Sequence, residues 1–201
     1  MELSAIFLSI SMIFGFITPY IGIVSIFKGE YKPQRITRLV LFIITLLFVF
    51  TLYFQGDRSA LYLALLQAIG GVLIFILSFK YGVGGFDKTD IVVLFLALSA
   101  IVGWKMTNDP TVGLYLSILA DFIGFIPTII KSWKEPFTED WKFYTSDIFA
   151  ASFSLLAITT FEIKDLAFSM YILFINLLIA ILIVFRRNFI TNLKLKTNNL
   201  T

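Results

Sequence analysis

The sequence predicts an all-α membrane protein: seven transmembrane helices, arranged as two parallel three-helix repeats joined by a linker helix, a 3-1-3 order. Three observations lead there. The chain of 201 residues is 59% hydrophobic and 14% charged, whereas a soluble domain carries about 25% charged residues. Its apolar residues gather into seven stretches long enough for a bilayer. Its basic residues are segregated between alternate loops.

A hydrocarbon core takes roughly 20 mostly apolar residues per helix, within about 17–25. Spans are expected at 4–27, 37–54, 60–79, 90–106, 112–130, 143–160 and 166–185. The breaks at 28–35, 55–58, 82–87, 107–110, 131–140 and 162–165 are polar or turn-rich. The N-terminal end and the second, fourth and sixth loops hold Arg58, Lys105 and Lys164; the opposite side holds the other 13 of the 16 Lys and Arg. Basic loops stay cytoplasmic, so the N-terminus is expected outside and the C-terminus inside. A six-span count would break this segregation. Trp104 near the outer face, and Trp133 and Trp141 near the inner, suit an aromatic belt. The Met1-Glu2 start lacks the basic region of a secretory signal, so the first stretch is read as a retained span. Residues 188–201 read as a loose cytoplasmic tail.

Composition also excludes chemistry. With no Cys and no His, disulfides, Cys/His zinc sites, thiol catalysis and His acid–base work are absent. No nucleophile–base spacing is evident, so no enzyme activity, metal or cofactor is expected. The loop Gly82-Val83-Gly84-Gly85 follows no phosphate-binding pattern and reads as a flexible connector. The net charge of +3 reflects topology rather than nucleic-acid binding.

The first and fifth spans are alike. One reads Gly15-Phe16-Ile17-Thr18-Pro19 and the other Gly124-Phe125-Ile126-Pro127, each followed by a basic loop containing a second Pro. Gln67 follows Pro19 by 48 residues (67 − 19), and Asn176 follows Pro127 by 49 (176 − 127). Two triplets separated by one crossing share the same orientation, which is a parallel repeat; such proteins place a solute site near mid-membrane between the halves. The expected units are 1–80, a linker 81–110, a second repeat 111–187 and the tail 188–201.

With these features the chain resembles the PQ-loop superfamily, which includes the SWEET sugar transporters and cystinosin-like exporters. The resemblance implies the 3-1-3 fold, an outward N-terminus and a Pro-centred motif in the first and fifth spans, here Pro19-Tyr20 and Pro127-Thr128 without the family's Gln. The segment from Asp147 to Ser152-Phe153-Ser154-Leu155-Leu156 is similar to the Asp-containing segment of the cystinosin-like second motif, which implies a proton-coupling role for Asp147. Gln67 and Asn176 fall where SWEET proteins carry sugar-facing Asn residues. The run Asp121…Pro127-Thr128…Lys131-Ser132-Trp133…Pro136…Glu139 is similar to a group of uncharacterised bacterial seven-span proteins.

The residues themselves suggest the same site. Asp121 lies about nine residues from either end of its span, about 13 Å deep at ~1.5 Å per residue. A carboxyl at such depth usually marks a substrate, ion or proton path; the alternative is a structural acid held by another helix. Asp147 is the second acid. If Thr138-Glu139-Asp140 opens its helix, it lies more than two turns in. Gln67 and Asn176 are candidates for substrate binding with Asp121, or for interhelical hydrogen bonds. Pro19 and Pro127 interrupt backbone hydrogen bonding and serve as candidate hinges, or as static bends. Arg35 and Arg38, with Lys28 and Lys32, read as a positive-inside cluster, with an anionic substrate or lipid headgroup as the sharper reading.

The expected function is transport of a small polar solute by alternating access, with proton coupling through Asp147 and Asp121 as one form of it. A non-transporting receptor or scaffold of the same fold is the alternative. The expected partners are a lipid bilayer, a small polar solute and protons, with homo-oligomer formation left open. A bacterial plasma membrane is the expected location.

Overall fold

The computed structural model describes residues 2–84 and 88–198. These form seven α-helices: α1 Glu2–Phe27, α2 Arg35–Gln55, α3 Arg58–Tyr81, α4 Lys88–Thr107, α5 Pro110–Lys134, α6 Trp141–Ala157 and α7 Ile163–Asn198, with a 3-10 turn Pro136–Thr138 ahead of α6. No strand occurs among the described residues, only an isolated bridge between Gln34 and Val83. Part of the expected 82–85 connector, Gly85, lies outside them.

Short polar side chains set the helix starts. Asp57 accepts from the Ala60 amide (3.0 Å) at α3, Asp109 from Thr111 (2.8 Å) at α5, and Asp140 from Lys142 (3.0 Å) at α6. Each satisfies an amide that a helix N-terminus leaves without a partner. Gly56, at φ 86°, closes α2 in the left-handed region that a side chain disfavours.

Two boundaries differ from expectation. Thr138 belongs to the 3-10 turn and Asp140 is the cap, so α6 begins at Trp141. Asp147 is therefore under two turns into its helix, not more than two. Residues 188–198 are not a loose tail: α7 continues to Asn198. No Gly or Pro stands between Ile163 and Asn198, so nothing local stops the helix.

Five helices, α1, α2, α3, α5 and the Ile163–Leu193 part of α7, are long and apolar enough to cross a membrane. α6 has 17 residues, about 25 Å at ~1.5 Å per residue, short of a hydrocarbon core of about 30 Å. In α4 the apolar stretch among the described residues, Phe95–Thr107, is shorter than a span. The polarity is inverted relative to a water-soluble fold. Ser11, Thr51, Ser117, Ser132, Ser154 and Ser169 are almost wholly buried, while Phe16, Phe54, Phe79 and Phe95 are 60% exposed or more. Hydroxyls inside let helices approach and bond one another, and large apolar groups outside match lipid. The chain is an integral membrane protein.

Among the described residues the helices pack in a definite order. α3 lies between α1 and α2, which do not touch; α7 lies between α5 and α6, which do not touch either. The two triplets meet through α1 against α6 and α2 against α5. α4 packs on α5 and, more lightly, on α2. Close approach needs small residues at the crossings: a Cβ on Gly15 would come within 2.7 Å of Leu66, and one on Gly70 within 2.7 Å of the Pro19 ring.

Candidate functional site

Where the two triplets meet, they leave a cavity of about 80 Å³. One water occupies roughly 10–15 Å³ on this measure, so the space holds several waters or a small polar molecule. Six helices line it and α4 does not. α2 contributes one face, Arg38, Leu41, Phe42, Thr45 and Phe48, at the spacing of a helical stripe. From Arg38 to Phe48 that stripe runs about 15 Å at ~1.5 Å per residue.

Asp121, Asp147, Gln67, Asn176 and Pro19 all line this one space; Pro127 is not part of the lining. The two acids come from α5 and α6, which α7 separates. Asp121 is 4% exposed and accepts a hydrogen bond from the Tyr171 hydroxyl at 2.6 Å. Asp147 is 6% exposed. Thr18 and Gln67 lie within hydrogen-bonding reach of its carboxyl, but its Oδ1 is buried without a partner. Asn176 donates from Nδ2 to the Ile172 carbonyl of its own helix, 2.8 Å away. One acid is thus held by a neighbour, and the other keeps an open oxygen.

The end of the cavity away from the basic loops is apolar. Phe48, Leu52, Leu63, Leu114 and Phe168 are essentially buried, and the Phe48 and Phe168 rings meet edge-on at 4.9 Å. The basic-loop end is polar and heavily bonded. Lys131 Nζ pairs with Glu139 Oε1 at 2.9 Å and donates to the Lys32 carbonyl at 2.8 Å. Tyr144 donates to Glu139 Oε2 at 2.8 Å. Arg187 donates to the carbonyls of Pro136 and Glu139 at 2.9 and 2.5 Å, and Ser25 donates to Asp140. α1, α5, α6 and α7 are all tied together there. Arg35 is a structural residue: it donates to the Ser78 carbonyl at 3.0 Å at the end of α3. Trp133, expected in an aromatic belt, stacks under Arg186 at 4.5 Å.

Three contributors escaped the sequence reading. Tyr171 looked like one more apolar-span aromatic, and Thr18 like part of a Pro motif. Arg38 was merged into a positive-inside cluster. A signal for two of them was available. The offset of 109 residues that carries Gly15 to Gly124 and Gln67 to Asn176 also carries Tyr62 to Tyr171 and Thr37-Arg38 to Ser146-Asp147. Arg38 and Asp147 therefore stand at corresponding places in the two triplets, with opposite charge. Comparison with family models, with curated proteins and with solved structures finds no match to this chain.

Proposed function

We propose that the chain is a membrane transporter of a small polar solute, working by alternating access in a seven-span 3-1-3 fold. α1–α3 and α5–α7 are the two parallel repeats and α4 is the linker span. One observation carries this reading: two acids and two amides that stand within apolar helices, Asp121, Asp147, Gln67 and Asn176, share one cavity between the triplets. Buried polar groups in a membrane are costly unless partnered. Their convergence favours a site over four unrelated helix contacts.

The apolar plug around Phe48 and Phe168 and the polar ties around Glu139 are the two candidate gates. Pro19, whose ring packs on Gly70, is the hinge beside the site, and Pro127 is its counterpart on α5. Asp147, with its open oxygen, is the proton site; Asp121, already bonded to Tyr171, orients solute. Proton binding biases the equilibrium between the two open states only by differing in affinity between them. The distribution of basic residues supports an outside N-terminus, and the compact loops suit a bacterial plasma membrane. The sealed apolar end also fits a receptor that binds in the cavity without releasing to the other face.

The test is solute-dependent proton movement in proteoliposomes carrying an internal pH dye, with a panel of sugars, amino acids and small carboxylates. Wild type is expected to acidify the lumen with at least one solute. Asp147→Asn abolishes this while leaving labelled-solute exchange in part. Unchanged pH dependence in Asp147→Asn removes the proton role, and binding without any flux selects the receptor.

A further inference from the structure

Arg38 is a guanidinium in an apolar stripe, one turn into α2, and it lines the cavity at its basic-loop end. Such a group needs an anionic or strongly accepting partner once it leaves water. Among the described residues no carboxylate lies within ion-pair distance of it; Asp121, Asp147 and Glu139 act on it only at longer range. Glu139, the carboxylate of that end, is bonded through one oxygen to Lys131 and through the other to Tyr144. No ion pair among the described residues includes Arg38.

The neighbours of Arg38 are phenols. Its guanidinium lies over the Tyr31 ring at 5.3 Å and within bonding reach of the Tyr144 oxygen. Burial pushes the Tyr31 hydroxyl above the usual phenol range, so it stays neutral. That hydroxyl, on a residue 3% exposed, lies within bonding reach of Arg38 but makes no formed hydrogen bond. The guanidinium therefore lines that end of the cavity packed against the Tyr31 ring, with no carboxylate among the described residues in contact with it.

We propose that Arg38, held against the Tyr31 ring, is an anion subsite, and that the solute carries a carboxylate that docks there. The planar fork of Arg matches a carboxylate through two parallel hydrogen bonds, which a Lys at this place could not form. Deeper in, the open Oδ1 of Asp147 takes a hydrogen-bond donor of the same solute. This deepens the transport reading and rests on it for the cavity's being a solute site. It narrows the solute from any small polar molecule to a carboxylate-bearing one.

The experiment uses full-length protein in detergent and reads thermal shift for succinate, lactate and glycine against succinamide and glucose. At least one carboxylate is expected to raise the wild-type midpoint, with binding at least ten-fold weaker in Arg38→Gln and intermediate in Arg38→Lys. A second measurement needs no variant: the same carboxylate slows phenylglyoxal modification of Arg38, followed by peptide mass, while Arg58 reacts unchanged. Equal carboxylate binding by wild type and Arg38→Gln overturns the proposal. So does protection of the wild type by succinamide or glucose alone, or by nothing in the panel. Carboxylate binding that depends on Arg38 but brings no flux in proteoliposomes leaves the subsite standing and removes transport. Flux of a neutral solute that ignores Arg38→Gln does the reverse.

Discussion

The two helix triplets pack in the same order yet carry different chemistry. In each, the third helix sits between the first and second, and the amide of that third helix, Gln67 or Asn176, lines the cavity. Five residues before the amide each triplet has a tyrosine. Tyr171 is 8% exposed and bonds Asp121, while Tyr62 is 40% exposed. The reason lies on the partner helix. The offset that pairs the tyrosines sets Asp121 of α5 against Met12 of α1, so Tyr62 has no acid to meet and its hydroxyl gains nothing by turning inward. On the second helices the same offset sets Arg38 against Asp147. A strictly symmetric cavity would gather like charges, which repel strongly at low dielectric. The observed one gathers opposite charges, and Arg38 acts electrostatically on both Asp121 and Asp147. Duplication of a packing scheme thus leaves room for divergence of the groups it presents.

The most severe way to break this comparison is to make the second helices alike. Arg38→Asp puts three acids around one cavity and leaves no cation in its lining. The expected cost is about 3 kcal/mol, in the range for an uncompensated buried charge, measured by denaturant unfolding in detergent. If positions 38 and 147 are interchangeable, Arg38→Asp combined with Asp147→Arg recovers more than half of that loss. A double variant no better than Arg38→Asp alone would show that the two places differ in more than charge.

A smaller effect separates the tyrosines. Tyr171→Phe leaves a buried Asp121 oxygen without its donor, a loss of about 1–3 kcal/mol. Tyr62→Phe removes a half-exposed hydroxyl that makes no hydrogen bond among the described residues, and is expected to fall within about 0.5 kcal/mol of wild type. Equal losses in the two variants would place Tyr62 in a contact the packing does not show.

Much of this was legible from residue types alone. Apolar stretches bounded by Asp57, Asp109 and Asp140 placed the helices, because lipid demands long apolar runs and caps are local. Asp121, Gln67 and Asn176 were legible as site residues because each is costly at its depth in an apolar stretch; Asp147, shallow by its span, was legible through the resemblance of the segment that follows it. Arg38 lacked that signal. One turn from a helix end, a basic residue is what charge segregation across a membrane produces anyway, and only packing distinguishes a lining residue from a snorkelling one. Tyr171 was hidden for another reason: a tyrosine in lipid-facing sequence is unremarkable until its hydroxyl's partner, 50 residues earlier on another helix, is known. The end of α7 was misread because polar composition suggests a free tail, although an uninterrupted helix continues through polar residues as readily as through apolar ones.

The finest distinction lies between adjacent glycines of α3. Both line the cavity, and sequence gives no reason to separate them. A Cβ on Gly70 would sit 2.7 Å from Cβ of Pro19 and 3.2 Å from its Cγ, whereas one on Gly71 would meet only Phe42 Cδ2 at 3.8 Å. The proline ring cannot rotate away, so Gly70→Ala forces α1 and α3 apart at the proposed hinge, an overpacking cost of about 1–3 kcal/mol. Gly71→Ala makes an ordinary contact and gains the higher helix propensity of Ala, up to about 1 kcal/mol. The expected result is a lowered detergent melting midpoint for Gly70→Ala and an unchanged or raised one for Gly71→Ala. If the proline is also a moving part, Gly70→Ala slows solute exchange beyond what its midpoint explains, because the contact it disturbs must slide. Equal midpoints for the two variants would mean that α1 and α3 are not in the close contact on which the hinge depends.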